Sequence, residues 1–407
     1  MNKHKEQQTQ KIHFVEDDSI LIHVTITGRC NARCEGCINS TITNTHAPGQ
    51  PRDSITTFQE ADPERDTAMI QNLALRSPER MVTVCFYGGE PLLAPDKMEK
   101  IRVRLDSSSI KNRLRYMIYT NGEFIEQTLR RYPDLILKTW LMSISIDGDA
   151  AQHNRVRPGT DLRRMTENLN ALRNGASYKG HVLMWSTLRE GQSLGRCFDE
   201  FMRLHEKSLV DHWFWHWVEI REPFNDIDQY CLQYKEDLTG IMDAFAGKLE
   251  TGIILPIAHI NELTLYLLTG KERGHTCCGV ELGRNFDLVD GTVRMCVDFP
   301  PETGLGDIND ETNVFKRRDL LALTEYTNDL GCSKCGVYFY CGGRCPVQAI
   351  YGGLARTRQY CRVMRLHVGT VKKYLPRIKA AMAARKISLQ DLYDRSAFIT
   401  RYTDVIP

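Results

Sequence analysis

The sequence predicts an α/β fold on a parallel sheet, followed by a small cysteine-rich region of short elements. Short apolar, β-branched segments alternate with helical patterns over about 200 residues, the signature of successive βα units. The strands read as near-continuous apolar runs, as expected where helices cover both faces of a sheet. Eleven of the fourteen cysteines fall into two clusters, one near each end of the chain.

Residues 20–26, ILIHVTI, form the first predicted strand. A loop with three cysteines follows, and then a polar stretch, THAPGQPRDS, rich in turn residues. A helical pattern covers about residues 63–75, and MVTVCFY (81–87) is a second strand that ends in GGEP. PDKMEKIRVRL (95–105) is helical, LRYMIYT (114–120) is a strand closed by Asn121-Gly122, and FIEQTLRRY (124–132) is a helix. WLMSISI (140–146) is a strand closed by Asp147-Gly148. A helix near 162–173, a strand near 181–187, a helix near 194–206 and a strand near 210–220 complete the series. Residues 226–270 read as helical, and the tail after about 363 is basic and helix-like, a solvated face rather than a nucleic-acid site. In a βα fold the C-terminal strand ends form the binding face. Cys30, Cys34, Cys37, Gly88, Gly89, Glu90, Asn121 and Asp147 are therefore expected on one rim.

Composition excludes several classes. Lys and Arg (53) nearly cancel Asp and Glu (51), so the net charge of +2 gives no global attraction to nucleic acid or an anionic membrane. No apolar run approaches the roughly 20 residues of a membrane span, and the polar N-terminus, MNKHKEQQTQKIHF, is no secretory signal. A reducing, cytoplasmic compartment is expected, where clustered cysteines more often bind metal or do chemistry than form disulfides. Cys85, Cys197 and Cys231 stand apart and read as buried small hydrophobes.

The first cluster places three residues between Cys30 and Cys34 and two between Cys34 and Cys37. Three thiolates on one loop suit an iron–sulfur cluster or zinc. A structural zinc site takes four ligands, and His46 lies nine residues on. Three ligands to a [4Fe–4S] cluster leave one iron for an exogenous ligand. With GGEP at the end of the second strand, this loop resembles that of the radical S-adenosylmethionine (SAM) enzymes. The resemblance implies a partial (β/α)6 barrel in which the open iron binds SAM. A reduced cluster there cleaves SAM to a 5′-deoxyadenosyl radical that takes a hydrogen atom from substrate. It implies that Gly88, Gly89 and Glu90 hold the SAM amino group, that Ser145 contacts the ribose, and that Arg157 pairs with the SAM carboxylate. The family's usual aromatic residue before the third cysteine is here Gly36, so another side chain must cover the adenine or that face is more open.

The second array, Cys332-x2-Cys335-x5-Cys341-x3-Cys345 and then Cys361, with Cys277, Cys278, Gly291 and Cys296 upstream, resembles the SPASM domain, which binds two auxiliary [4Fe–4S] clusters. The resemblance implies that Cys332, Cys335, Cys341 and Cys361 hold the outer cluster. It gives the inner one Cys345, Cys296 and one or both of Cys277 and Cys278. Either the adjacent pair supplies two ligands or one iron is open. Structural zinc is the plain alternative. The implied layout is a barrel over 1–220, a helical linker over 221–270, the SPASM domain over 271–370 and a helical tail over 371–407.

The implied activity is oxidative modification of a peptide or protein side chain, as in ribosomal-peptide maturation or formylglycine formation in sulfatases. A small molecule such as a tetrapyrrole is the alternative substrate, and a non-catalytic iron–sulfur electron carrier is the alternative class. The implied partners are a one-electron donor such as flavodoxin or ferredoxin and, because 19 residues precede the first strand, either a separate leader-peptide recognition protein or a leader-independent mode. In the sulfatase maturases an aspartate base follows the cysteine that matches Cys296. Here Val297 follows, and Asp298 is one further, which in an extended segment turns to the opposite face. Asp298 is thus a candidate base if the loop is remodelled. The aromatic segment DHWFWHWVEI (211–220) is either a channel wall or a core strand.

Overall fold

The computed structural model describes residues 16–37, 60–298 and 322–403. The polar stretch THAPGQPRDS lies outside them. Six parallel strands come first: β1 (Ile20–Thr27), β2 (Val82–Gly88), β3 (Leu114–Thr120), β4 (Thr139–Ser145), β5 (His181–Leu188) and β6 (His212–Trp217). Between them run α1 (Pro63–Leu75), α2 (Pro95–Asp106), α3 (Ile125–Arg131), α4 (Pro133–Leu137), α5 (Ala150–Val156), α6 (Leu162–Asn170) and α7 (Leu194–Glu206). Polar residues start four of these helices: Asp62, Asp149, Asp161 and Ser193 accept backbone N–H bonds at their first turns. The predicted barrel elements stand within about three residues of those observed, but α4 and α5 were not foreseen. AAQHNRV is short and has no apolar stripe.

The cysteine-rich stretch extends the barrel sheet instead of standing apart from it. Its hairpin, β7 (Asn285–Val289) and β8 (Thr292–Arg294), adds β7 parallel to β1 in an eight-stranded order β6-β5-β4-β3-β2-β1-β7-β8. At its turn Asp290 and Gly291 both take positive φ, 55° and 76°. Side chains from β1 and from β6 line one cavity, so the open sheet is curled into a partial barrel.

Two helices, α8 (Ile227–Glu250) and α9 (Ala258–Thr269), replace the single helical region read over 226–270. The long α10 (Leu354–Arg385) packs along α8, with Tyr360, Val363, Met364 and Val371 buried and Lys372, Lys373 and Lys379 exposed. The basic run is thus a solvated face. After α11 (Leu389–Arg395), residues Ala397–Tyr402 turn back and plug the barrel from below. There Ile399 and Tyr402 complete an inner core with Leu21, Cys85, Met117, Leu141, Leu183 and Phe214.

The larger core lies between sheet and helices. Trp213, Trp215 and Trp217 of β6 are buried there, against Phe201, Tyr234 and Tyr360. By area alone each contributes about 5 kcal/mol. This part of the aromatic segment is core, and the strand's other face supplies His216 to the cavity. Cys85, Cys197 and Cys231 are buried, as expected. Among the described residues no helix is long and apolar enough to cross a membrane.

Candidate active site

The cysteine loop after β1 is stitched to its neighbours on two sides. Thr27 O accepts from Gly89 N and Arg29 O from Glu90 N, both at 2.8 Å, while Arg33 N and Glu35 N donate to Pro158 O and Val156 O at the C-terminal end of α5. Gly88 takes φ +135°, and a side chain there would run into the Thr27 carbonyl. Glycine is thus required by the close approach of β2 to the loop, a nearer reason than contact with a ligand. Cys30, Cys34 and Cys37 are half-buried and, with Gly88, Gly89 and Ser145, line one cavity of about 250 Å³.

A buried charged group stands beside this trio. Asp147, at the end of β4, is fully buried and takes both arginines of the cavity wall. Arg157 donates through Nε (2.7 Å) and Nη2 (3.2 Å), and Arg189 through Nη1 (2.8 Å). Burial opposes ionisation of Asp147, but Arg157 and then Arg189 outweigh it and hold the carboxyl well below its usual range. Two guanidiniums share one carboxylate, so one positive charge is left over. Arg157 Nη1 also lies 3.7 Å from Cys34 Sγ. Arg157 is therefore no surface ion pair.

Glu90 does not line the cavity. Its carboxylate accepts from Leu92 N (3.0 Å), Thr120 Oγ1 (2.8 Å) and Asn121 N (2.7 Å). Burial pushes it up to about 7, against the pull of these donors. Asn121, fixed in this way, reaches Asn31 Oδ1 in the cysteine loop at 2.7 Å. The predicted rim is thus assembled, with Glu90 as its underside.

The same cavity is also lined by Cys278, Cys296 and Cys345. The thiols of the second array fall into two sets. Cys332 is pushed up to about 12 by burial and by Cys341, Cys361 and Cys335, so these four act on one another. Cys277 is raised by its hydrogen bond with Cys278, by burial, and by the charges of Cys278 and Cys345. Cys296 is raised by burial, Asp298, Asp287 and Cys345. Thiols crowded so closely resist ionisation until a cation offsets them, which fits ligands of an iron–sulfur centre.

After β8 the chain leaves the extended conformation, and residues 297–298 form a turn. Strand alternation therefore does not apply, and both Val297 and Asp298 face the cavity. Burial, then Asp287 and Glu219, pushes Asp298 up to about 7. Gly36 (φ +60°) has its missing side chain replaced by Val218: a Cβ there would meet Val218 Cγ2 at 2.6 Å. Val218 also lines the cavity, so it covers the face that an aromatic residue before Cys37 would occupy. Sequence reasoning missed His23, Thr187, Arg189, Glu219 and Asp287. Their signal was weak, since His23 is one polar residue in an apolar strand and its partner Asp287 is 264 residues away.

Residues 24–184, which hold the trio, the GGEP turn, Ser145 and Arg157, match the family model of the Radical SAM superfamily. The chain carries a radical SAM domain. Such a domain indicates an enzyme that uses SAM and an iron–sulfur cluster. The solved structure of native anSMEcpe with bound AdoMet is similar over 89% of this chain and 99% of that one, at 18% identity and a TM-score of 0.67. Native anSMEcpe with bound AdoMet and Cp18Cys peptide matches equally well, at 18% identity over 89% and 99% and a TM-score of 0.67. Streptococcus suis SuiB bound to S-adenosylmethionine is similar over 81% and 71%, at 12% identity and a TM-score of 0.50. These likenesses show a shared fold over most of the chain. No curated protein matches the sequence.

Proposed function

We propose that this radical SAM enzyme oxidatively modifies a peptide or protein side chain. Cys30, Cys34 and Cys37 hold the SAM-binding cluster, and the second array holds two auxiliary clusters in a SPASM-type domain. One observation carries the reading: a single cavity is lined both by the N-terminal trio and by Cys278, Cys296 and Cys345. A substrate between them faces both a source of radical and a sink for the electron that its radical must lose. When bound and reduced, the first centre supplies the electron that cleaves SAM to a 5′-deoxyadenosyl radical. The chain does the rest. The spare positive charge of Arg157 and Arg189 receives the SAM carboxylate, and the peptide backbone at Gly88 and Gly89 receives its amino group. Ser145, which lines the cavity, would contact the ribose. Asp298, beside Cys296, takes the proton that the oxidised substrate releases.

Peptides bound in the matching anSMEcpe structures favour this substrate class over a tetrapyrrole. An external one-electron donor of flavodoxin or ferredoxin type is required to reduce the clusters. Anaerobic reconstitution with iron and sulfide, then reduction with SAM, tests the reading. Release of 5′-deoxyadenosine is expected, and its absence in an iron-loaded chain favours the electron carrier. With substrate, Asp298→Asn should lower product per 5′-deoxyadenosine about 100-fold.

A further inference from the structure

The segment that plugs the barrel also reaches the active cavity. Residues Ala397–Tyr402 fill the barrel from below, and Thr403, next after them, lines the cavity. The backbone is fixed on both sides of Arg401. Before it, Thr400 Oγ1 donates to Glu262 Oε1 at 3.0 Å. After it, Tyr402 is fully buried, its hydroxyl accepts from Arg115 Nη2 at 2.6 Å, and its ring meets Trp140 at 4.9 Å. The Tyr402 carbonyl accepts from the hydroxyl of Tyr119, which lines the cavity.

The Arg401 guanidinium spans the joint between the barrel and the cysteine-rich region. Its Nη2 donates to Ser19 O, just before β1, and at 3.5 Å to Arg284 O, just before β7. Its Nη1 donates to Asn285 Oδ1 at 2.8 Å. A guanidinium can only donate, so the amide atom it meets is the oxygen, and the amide nitrogen of Asn285 is turned the other way. That nitrogen donates to Cys278 O at 2.7 Å. Asn285 and Cys278 both line the cavity, whereas the adjacent Cys277 is buried outside it. Between α9 and β7 the chain holds no regular element but the short turn Val280–Leu282, flanked by Gly279 and Gly283 at φ of 66° and 62°. A hydrogen bond to the peptide after Cys278 therefore acts on a segment with little internal support.

We propose that Arg401 is a positioning residue: by fixing the Asn285 amide it makes Cys278, and not Cys277, the thiol presented to the cavity. The placement is a property of the chain. Its consequence, that Cys278 and not its neighbour is the ligand of the inner auxiliary centre, rests on the radical SAM reading above and sharpens it at the adjacent pair.

The test uses reconstituted, anaerobic holoenzyme without turnover, exposed to iodoacetamide over hours. Fragment-ion mass spectrometry reads the labelling of each cysteine. In the unaltered enzyme Cys277 should label faster than Cys278. Arg401→Met should raise the ratio of Cys278 to Cys277 labelling at least about tenfold, while Cys332 and Cys361 keep their rates. Arg401→Lys, which also only donates, should keep that ratio within about threefold of the unaltered value. In Asn285→Asp the carboxylate still accepts from Arg401 but has no donor for Cys278 O, so the ratio should rise as in Arg401→Met although the joint at Arg401 is kept. This variant decides the matter if Arg401→Met does not fold. Three results overturn the proposal: Cys278 labelling faster than Cys277 in the unaltered enzyme, an unchanged ratio in Asn285→Asp, or equal acceleration at Cys332 and Cys361, which marks general loosening. Absence of 5′-deoxyadenosine from the unaltered enzyme with SAM and reductant overturns the radical SAM reading instead, and the labelling, which needs no turnover, still decides which thiol is held.

Discussion

The two cysteine regions of this chain solve different problems with the same side chain. The N-terminal trio sits on one loop, half-buried, with a guanidinium at Cys34 and a cavity in front of it. The set of Cys332, Cys335, Cys341 and Cys361 is drawn from a short helical turn, a second short helix and α10, and its thiols act chiefly on one another. Three donors beside an open space leave room for a ligand from solution. Four donors closed on each other do not. The number of thiols matters less than what stands next to them.

The largest expected effect breaks that contrast outright. Cys30→Ala, Cys34→Ala and Cys37→Ala together should remove about a third of the reconstituted iron and all 5′-deoxyadenosine release. Cys332→Ala with Cys361→Ala should instead keep SAM cleavage and lose product. Iron analysis and chromatography of the nucleoside read both, and a trio variant that still cleaves SAM refutes the assignment.

Asp147 comes next, because it sets the charge on the trio's side. Asp147→Asn leaves two buried guanidiniums without a counter-charge and should cost about 3–5 kcal/mol of stability, measured by denaturant titration. Arg157→Lys keeps the charge but loses the fork, and should raise the KM for SAM about tenfold while kcat changes little.

How much of this was legible in the sequence follows from where each signal lives. The six barrel strands were readable because apolar, β-branched runs between turn residues are local facts, and the rim was readable because those runs end in Gly88, Asn121 and Asp147. The hairpin β7–β8 was not read, although Asp290-Gly291 between NFDLV and TVR is a hairpin signal. Short strands in a cysteine-rich stretch look like metal-held loop. The charge layout was least legible. His23 and Asp287 meet because β1 and β7 pair in register, His23 opposite Asp287, and no window of sequence contains both. The expectation that Asp298 faces away failed for a local reason as well: the chain turns after Arg294, and the two-residue period ends with the strand.

Acid provides a test that acts on both regions. His153, beside Asp147, accepts from Asp147 N at 3.1 Å, and burial pushes its ring down to about 4. His367, under the α8–α10 contact, is pushed down to about 3 by burial and Arg344. Both rings are neutral in the fold and would gain a proton on unfolding below their ordinary value near 6.5. The stability they contribute is therefore complete above about pH 6.5 and falls as pH drops toward their folded values. Each costs at most about 1.4 kcal/mol per pH unit. Denaturation midpoints taken between pH 7 and 5 should fall, and His367→Gln should flatten the slope. A slope that His367→Gln leaves unchanged would show that this ring does not carry the dependence.

Gly36 sharpens the comparison most finely, since it asks whether the space before the trio's third cysteine is open or filled. Its φ of +60° and the 2.6 Å approach of Val218 Cγ2 to a built Cβ both oppose any side chain there. Gly36→Ala should destabilise the protein by about 1 kcal/mol from the left-handed backbone alone. Paired with Val218→Ala, which vacates the space, the steric part should be recovered and the backbone part should remain. A double-mutant cycle on thermal stability separates the two. If Val218→Ala recovers nothing, Val218 is not what fills the place of the missing aromatic side chain.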